Sequence, residues 1–274
     1  MTDLAVDERP IAATSTSYNA HVSRRVDLTE SLAFFWVTFD GPAIEFLPGQ
    51  YLTIGVESNG KLIQRPYSVA SSARDIDQGY EFYVRLVNGG MFTPLLWRLG
   101  VGHGMSMRGP KGKFVLEPDD ERQHVFISSG TGIAPFVAMM KTLLHDGQPR
   151  PAIVLHGASY EHDLGYRELL EQWQADGDYP LRYIATLSRP GSPENSRWRG
   201  RVGRVESIIP SVYDELGLTA ENSIAYICGN PDMIAAAEEI LAARGFPETQ
   251  IKKELYWPKG KEPRGQSALS AGAT

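Results

Sequence analysis

Two short glycine-containing motifs in this chain have the composition of phosphate-binding turns. Gly130-Thr131-Gly132-Ile133-Ala134-Pro135 separates an apolar run from a stretch with helical character, and Gly89-Gly90-Met91-Phe92-Thr93 also opens a helical stretch. Glycines at such points let backbone N–H groups approach a pyrophosphate, and the following helix N-terminus adds partial positive charge. For the motif at Gly130 the alternative is a tight strand–helix turn with no ligand. One such motif in each half of the chain indicates two phosphate-bearing ligands.

A third motif, Arg65-Pro66-Tyr67-Ser68, combines groups that suit a flavin dinucleotide. An arginine suits a diphosphate, a tyrosine can stack on a flavin ring, and a serine hydroxyl can hydrogen-bond a flavin nitrogen. The alternative is a proline-containing strand edge whose tyrosine belongs to the core.

Arginines are concentrated between residues 188 and 205, directly after an apolar run at 181–187. The segment holds five arginines in a protein whose net charge is −6. Cations around the ribose 2′-phosphate are what separates NADP from NAD. A solvated arginine-rich loop is the alternative interpretation.

The chain also carries one cysteine, Cys228, which ends an apolar run and precedes Gly229-Asn230-Pro231. A lone buried cysteine is usually inert core. At the carboxyl end of a parallel strand, however, it would lie where ligands bind. Further along the sequence, Tyr256 and Trp257 form an aromatic pair, and such pairs are more often core or surface anchors than ligand contacts.

Residues 21–116 have the pattern of short antiparallel strands. The runs at 32–39, 51–56 and 80–87 are rich in aromatic and β-branched residues and are separated by glycine, proline and asparagine. Evenly spaced short strands with intervening turns favour an antiparallel barrel or sandwich. One helical stretch near 92–99 interrupts them.

After Pro118-Asp119-Asp120 the pattern changes to alternating strands and helices. Apolar runs at 124–127, 152–156, 181–187 and 223–228 alternate with helical stretches at 133–144, 166–174, 205–216 and 233–244. This alternation predicts a parallel sheet with helices on both faces. We therefore expect an extension at 1–18, domains at 19–117 and 118–257, and a disordered tail at 258–274.

Composition narrows the function classes. With 274 residues and a net charge of −6, wholesale nucleic-acid binding is not expected. One cysteine excludes an intramolecular disulfide, a four-cysteine iron–sulfur cluster and a structural zinc site, so we expect no metal. No run approaches about 20 apolar residues, and residues 1–13 lack the order of a secretion signal. We expect a cytoplasmic monomer that does not enter a membrane.

Taken in order, these motifs resemble those of ferredoxin–NADP reductases, most closely the bacterial ferredoxin/flavodoxin–NADP reductases, over residues 21–257. The resemblance implies an antiparallel six-stranded FAD-binding β-barrel followed by a parallel-sheet α/β NADP-binding domain. It also implies an FAD enzyme that exchanges a hydride with NADP(H), and single electrons with ferredoxin or flavodoxin, in the cleft between the domains.

The same resemblance assigns site residues. Those for FAD are Arg65, Pro66, Tyr67, Ser68, Gly90, Met91, Phe92, Thr93, Tyr256 and Trp257. Those for NADP are Gly130, Thr131, Gly132, Ser188, Arg189, Arg201, Arg204, Cys228 and Gly229. Ser68, Cys228, Glu254 and Tyr256 are expected to act at the reaction centre, Tyr256 as a gate over the flavin and Cys228 beside the nicotinamide. Of the two Gly-Arg-Val repeats, the second is favoured because a predicted helix begins directly after it.

One departure from the family concerns the cofactor. Bacterial relatives often carry a further arginine shortly after the dipeptide that is His156-Gly157 here, but this chain continues Ala158-Ser159-Tyr160. The missing cation is expected to weaken the preference for NADP without abolishing it.

Three rival functions stay open at this stage. They are the reductase component of an oxygenase system, a free-flavin reductase, and a flavin-binding regulatory subunit without turnover. An acidic carrier protein would need a basic docking surface, for which Arg24, Arg25, Lys111 and Lys113 are the candidates.

Overall fold

The computed structural model of the protein describes residues 18–255 and contains two six-stranded sheets. Tyr256, Trp257, the tail at 258–274 and residues 1–17 lie outside the described residues. In residues 18–255, no helix is both long and apolar enough to cross a bilayer.

The first sheet is antiparallel, with strand order β4-β3-β6-β1-β2-β5. Its strands are β1 Ala20–Thr29, β2 Leu32–Phe39, β3 Tyr51–Ser58, β4 Lys61–Ser68, β5 Tyr80–Arg85 and β6 Gly104–Lys111, and the short helix α1 spans Thr93–Leu96. Inward-facing residues such as Phe35, Ile54, Phe82 and Met107 form one buried core, against which Tyr67 of β4 also packs. All six strands thus surround a single core, as predicted for the barrel.

The second sheet is parallel throughout, with strand order β10-β9-β8-β7-β11-β12. Its strands are β7 Gln123–Ser129, β8 Ala152–Ala158, β9 Leu181–Leu187, β10 Arg201–Val202, β11 Ser223–Gly229 and β12 Ile251–Leu255. Its helices are α2 Ala134–His145, α3 Arg167–Asp176, α4 Val205–Glu215 and α5 Pro231–Ala243. Strands β7, β8 and β11 are buried almost end to end because helices cover both faces.

The order of the parallel strands locates the binding crevice. From β7 the chain runs outward through β8, β9 and β10, then returns to β11 on the other side of β7. In open α/β sheets, ligands bind at the carboxyl ends of the strands where the order reverses in this way. That point lies between Ser129 at the end of β7 and Gly229 at the end of β11.

The two sheets pack against each other through aromatic side chains. Phe34 lies 4.8 Å from the ring of Tyr83 on the first sheet and 4.8 Å from Tyr166 of the second half. The Tyr83 hydroxyl donates to the Asp163 carbonyl at 2.9 Å and accepts from the Gly165 N–H at 3.0 Å. A shared, hydrogen-bonded core of this kind fixes the walls of the cleft relative to each other.

A buried carboxylate crosses the same interface. Glu81 of β5 is 5% exposed, accepts from Lys141 of α2 at 2.6 Å and accepts from the Tyr166 hydroxyl at 2.7 Å. Removing one partner of a buried ion pair leaves an uncompensated charge in the interior, which costs about 3–5 kcal/mol.

We therefore expect Lys141→Met to lower the melting temperature by roughly 6–20 °C, since 1 kcal/mol corresponds to about 2–4 °C in a protein of this size. Differential scanning calorimetry measures it. Lys113→Met, at an exposed position, is the matched control. Equal melting temperatures for the two variants would contradict this account of the interface.

Three predicted elements differ from the structure in extent. The strand-like run at 61–64 ends before Arg65 in the sequence pattern, but Arg65-Pro66-Tyr67-Ser68 lies inside β4 because pairing with β3 continues to Tyr51↔Ser68. The helix expected near 92–99 is only the single turn α1. Glu254 lies in β12, an edge strand of the parallel sheet that the sequence did not predict, beside Cys228 of β11.

Candidate functional site

A cleft of about 1040 Å³ lies between the carboxyl edge of the parallel sheet and the antiparallel sheet. Most of the residues that the sequence singled out line it: Arg65, Pro66, Tyr67, Ser68, Gly90, Met91, Phe92, Thr93, Gly130, Thr131, Ser188, Arg189, Arg204 and Gly229. Four described candidates do not: Gly132, Arg201, Cys228 and Glu254.

The end of β4 presents an aromatic ring and a cation on the barrel side. Tyr67 is partly buried, with its ring 5.7 Å from Phe92 and 6.4 Å from Phe82. Desolvation raises the pKa of the Tyr67 phenol, opposed by the nearby Arg65 charge, so the ring stays neutral. Arg65 is exposed, and its guanidinium donates to the Gln64 carbonyl at 2.7 Å.

The second barrel motif forms a turn closed by its own threonine. The Thr93 hydroxyl accepts from the Val87 N–H at 2.9 Å, and the Gly90 N–H donates to the Val87 carbonyl at 2.9 Å. A Cβ at Gly90 would lie 2.9 Å from that carbonyl oxygen, closer than real contacts allow. Glycine is therefore needed for the turn to close, and α1 begins directly after it.

On the parallel-sheet side, a buried histidine holds the turn after β7. His156 is fully buried, with Nε2 3.0 Å from the Gly130 carbonyl and Nδ1 3.1 Å from the Tyr183 hydroxyl. Desolvation lowers the pKa of His156 to about 4, so the ring is neutral at physiological pH. Since a carbonyl only accepts, Nε2–H donates to Gly130 and the Tyr183 hydroxyl donates to Nδ1.

Two glycines let the turns after β7 and β11 pack together. A Cβ at Gly132 would lie 2.3 Å from the carbonyl oxygen of Cys228, and one at Gly229 would lie 2.4 Å from the Ser129 hydroxyl. Gly229 also has a φ of 142°, in the region that favours glycine. Gly132 and the fully buried Cys228 thus lie one layer beneath the cleft surface.

Gly132→Ala should therefore destabilise the protein by about 2–4 kcal/mol, since overpacking against backbone cannot relax through a rotamer. Urea unfolding followed by circular dichroism measures the loss. Gly147→Ala is a useful control, because its Cβ would meet nothing within 4 Å although its φ of 67° adds some strain. Finding Gly132→Ala no worse than this control would contradict the packing role.

The arginine cluster divides into two environments. Ser188, Arg189 and Arg204 line the cleft, and Arg204 is the residue directly before α4. Arg201 instead lies outside the lining, where it forms an ion pair with Glu215 and donates to the Ser211 hydroxyl at 3.2 Å. The first Gly-Arg-Val repeat therefore faces α4 and the second faces the cleft.

Glu254 reaches the barrel motif from the edge strand β12. The Ser68 hydroxyl donates to its carboxylate at 3.1 Å, across 186 residues of chain. Desolvation raises the pKa of Glu254 to about 7, and the hydrogen bond from Ser68 opposes part of that shift. This carboxyl group therefore titrates near neutrality, which suits a group that exchanges protons.

The candidate docking cations are not equivalent. Arg25 is committed to the fold, since its guanidinium donates to the carbonyls of Trp97 at 2.8 Å and Leu99 at 2.9 Å and pairs with Asp27. Arg24 is exposed and lies 4.4 Å over the Trp36 ring. Lys111 and Lys113 are exposed at the end of β6.

Several residues of the lining were not predicted as site residues, among them Arg85, Glu206 and Tyr160. Arg85 lies on β5 and forms an ion pair with the buried Asp163 at 2.9 Å, which joins the two walls. Glu206, in the first turn of α4, adds a negative charge two residues after Arg204. Tyr160 accepts a 2.6 Å hydrogen bond from Arg189. Glu206 could have been predicted to line the cleft from its proximity in sequence to Arg204. Arg85 and Tyr160 could not, because tertiary contacts alone bring them to the cleft.

The fold and this cleft define an oxidoreductase that binds a flavin nucleotide and a nicotinamide nucleotide. Residues 19–116 match the oxidoreductase FAD-binding domain and residues 126–239 match the oxidoreductase NAD-binding domain. The chain therefore belongs to the ferredoxin–NADP reductase superfamily of FAD- and NAD(P)-binding oxidoreductases.

Individual relatives cover most of the chain. Ferredoxin–NADP reductase B of Sorangium cellulosum is 33% identical over 220 residues, covering 79% of this chain and 88% of the relative. The phenol hydroxylase P5 protein of Acinetobacter pittii is 30% identical over 269 residues, covering 96% of this chain and 72% of the relative. A ferredoxin NADP+ reductase from Neisseria gonorrhoeae shares the fold, with a TM-score of 0.76 at 21% identity over 88% of this chain and 99% of that one.

Proposed function

We propose that this protein is an FAD-containing reductase that exchanges electrons between NADP(H) and a ferredoxin or flavodoxin. The observation that carries the proposal is the single cleft that joins Arg65, Tyr67 and Ser68 on one wall to Gly130, Arg189 and Arg204 on the other. Its volume of about 1040 Å³ is at the upper end of the roughly 300–1,000 Å³ usual for ligand sites, as expected for two nucleotides.

The barrel wall fits FAD chemically. An exposed Arg65 guanidinium suits the diphosphate, the neutral Tyr67 ring suits stacking on the isoalloxazine, and the glycine turn before Thr93 leaves backbone N–H groups close to the cleft. Ser68 and Glu254 supply a hydroxyl and a carboxyl that exchange protons beside the flavin. When bound, FAD would supply the ability to take two electrons from a nicotinamide and release them one at a time.

The parallel-sheet wall would hold NADP(H). The turn at Gly130 and Thr131, which His156 holds in place, would bind the pyrophosphate at the start of α2. Arg189 and Arg204, with Ser188, form the pocket for the 2′-phosphate. Cys228 and Gly229 would lie beneath the nicotinamide. Cys228 would act there by packing and not as a nucleophile. The stretch Ala158-Ser159-Tyr160 supplies no further arginine and Glu206 adds a carboxylate to the lining, so the preference for NADP is a partial one.

The proposal for the carrier is tested by salt dependence. Lys111 and Lys113 with Arg24 would form the docking surface for an acidic ferredoxin or flavodoxin, and Arg25 is withdrawn from that role because it is committed to backbone carbonyls. Charge-steered association slows steeply as ionic strength rises. Reduction of a ferredoxin by NADPH should therefore slow between 20 and 300 mM salt, roughly tenfold or more. An unchanged rate would remove the docking surface.

A second candidate function is the reductase component of an oxygenase system. The similarity to the phenol hydroxylase P5 protein, which covers 96% of this chain, favours it. The two candidates differ in the acceptor. If NADPH reduces a low-potential ferredoxin through this protein at a rate that matches turnover, the ferredoxin reductase function is supported. Rapid reduction only of an oxygenase partner, with NADH as good a donor as NADPH, supports the second.

We further propose that the domains divide near residue 117, with FAD bound by 19–117 and NADP(H) by 118–257, and that the protein works as a cytoplasmic monomer. The sequence has one cysteine, the buried Cys228, so the fold uses no disulfide within the chain, as is usual for proteins of a reducing compartment. Light scattering coupled to gel filtration tests the monomer, and a mass near 60 kDa, about twice the 30.3 kDa of one chain, would overturn it.

A further inference from the structure

One buried asparagine joins the two loops that carry the arginine pocket. Asn195 ends a short 3-10 turn, Pro193–Asn195, and is 3% exposed. Its Nδ2 donates to the Ser159 carbonyl at 2.9 Å and to the Arg189 carbonyl at 2.8 Å, while Oδ1 accepts from the Glu161 N–H at 3.0 Å. The two carbonyls and the single N–H leave only one way to orient the amide.

The loops that Asn195 joins follow neighbouring strands. Ser159 and Glu161 lie on the loop after β8, and Arg189 lies on the loop after β9. Ser159 and Arg189 both line the cleft. Because Asn195 binds the main chain of each loop, it fixes their separation whatever their side chains do.

A second contact joins the same loops through side chains. The Arg189 guanidinium donates to the Tyr160 hydroxyl at 2.6 Å and lies 5.3 Å from its ring centroid, and that ring stacks on His162 at 5.2 Å. The hydroxyl is a neutral partner, so Arg189 keeps its full positive charge toward an anion. Tyr160 thus orients the guanidinium without neutralising it.

Further contacts hold the turn from its outer side. Arg167 of α3 forms an ion pair with Glu161 at 2.5 Å, and its guanidinium lies 5.1 Å over the ring of Trp198. The backbone N–H of Trp198 donates to the Asn195 carbonyl at 2.9 Å. Asn195 is therefore held in place by a neighbouring helix and does not depend on a ligand for its position.

We propose that Asn195 is a positioning residue for cofactor selection, which acts by fixing the Arg189 loop against the Tyr160 loop so that the Arg189 charge is placed for a ribose 2′-phosphate. This rests on the proposed function, in which Arg189 binds that phosphate. A nucleotide without the 2′-phosphate makes no use of Arg189. Loosening the loops should therefore weaken binding only of nucleotides that carry it.

The test uses two small probes that differ in this phosphate, 2′,5′-ADP and 5′-AMP, titrated into the FAD-loaded protein by isothermal calorimetry. Asn195→Asp keeps the size of the side chain and the acceptor for Glu161, but faces two carbonyls with a carboxylate. We expect the Kd of 2′,5′-ADP to rise tenfold or more, the equivalent of about 1.4 kcal/mol, with little change for 5′-AMP. Tyr160→Phe, which removes only the hydroxyl, should raise the same Kd by a smaller factor.

A matched control lies at the opposite edge of the sheet. Asn222 makes bonds of the same kind, with Oδ1 accepting from the Thr219 N–H at 2.8 Å and Nδ2 donating to the Gly217 carbonyl at 2.8 Å. Asn222→Asp should leave the Kd of both probes unchanged. A steady-state check should show a higher KM for NADPH in Asn195→Asp, with kcat and the constants for NADH preserved.

The outcomes separate this inference from the proposed function. If Arg189→Ala raises the Kd of 2′,5′-ADP and Asn195→Asp does not, the proposed role of Asn195 is overturned and the proposed cofactor site stands. If Asn195→Asp weakens both probes equally, Asn195 is merely structural and the inference also fails. If Arg189→Ala leaves both probes unchanged, the proposed 2′-phosphate site itself is wrong.

Discussion

Replacing Arg189 and Arg204 together with alanine should raise the KM for NADPH by about 10²- to 10⁴-fold, while the KM for NADH changes little. Hydrogen bonds to a charged group contribute about 1.5–3 kcal/mol each, and two such bonds therefore account for about 3–6 kcal/mol. Both side chains line the cleft at the carboxyl edge of the parallel sheet. Steady-state kinetics with an artificial acceptor such as ferricyanide measures both constants.

Arg201→Ala is the matched control for this prediction. It removes an arginine from the same segment and the same Gly-Arg-Val context, but one that is paired with Glu215 outside the cleft. Because Arg201 does not line the cleft, we expect its KM for NADPH to stay within about threefold of the parent value, a difference of less than about 1 kcal/mol. If the double variant had a KM for NADPH as close to the parent value as that of Arg201→Ala, the assignment of the 2′-phosphate pocket would be wrong.

Replacing Glu254 with glutamine should abolish a pH dependence centred near 7 and slow electron transfer through the flavin by about 10²-fold, the lower range of general acid–base contributions. The carboxyl has a pKa of about 7 because of burial, with an opposing contribution from the Ser68 hydroxyl. Stopped-flow rates between pH 5.5 and 8.5 measure the profile. The same inflection in the Glu254→Gln variant would show that another group titrates.

The raised pKa of Glu254 also has a consequence for stability. The pKa rises from an ordinary 4.5 to about 7 on folding, so the folded state binds the proton more tightly. The stabilisation is complete below pH 4.5 and is lost as pH rises through 7. The full shift corresponds to about 3 kcal/mol, an upper estimate for a partly exposed group. Between pH 5 and pH 8 the parent should therefore lose more stability than Glu254→Gln, with the exposed Glu221→Gln as the control in urea unfolding.

Four of the six parallel strands and all four helices of that half were predicted because their signals are local, whereas the edge strands β10 and β12 were not predicted. The run before Gly130 contains the consecutive apolar residues Val125, Phe126 and Ile127 because β7 is buried on both faces, and the glycine turn is followed by the apolar helix α2. In the barrel, β1 and β6 were not recognised individually. β1 carries polar residues at most positions and β6 contains Gly109 and Pro110, so neither has a clear strand pattern.

The candidate site was predictable where residue type alone carries the chemistry and was not where tertiary pairing decides. Arg201 and Arg204 stand in identical Gly-Arg-Val contexts, and their environments differ because Arg201 lies in β10, which pairs with Thr186 of β9, and so faces Glu215. At Tyr160, sequence reasoning saw only a missing cation. The structure shows that its hydroxyl binds Arg189, a contact across 29 residues that no local pattern encodes.

The most direct test of the proposed function is anaerobic stopped-flow reduction of the purified yellow protein, comparing NADPH with NADH. The account predicts that the bound flavin is bleached by NADPH within the turnover time, with a lower apparent Kd for NADPH than for NADH. Reduced protein mixed with oxidised ferredoxin should then recover the yellow colour at a rate that falls with salt. Equal rates and affinities for the two nucleotides, or no bleaching at all, would contradict it.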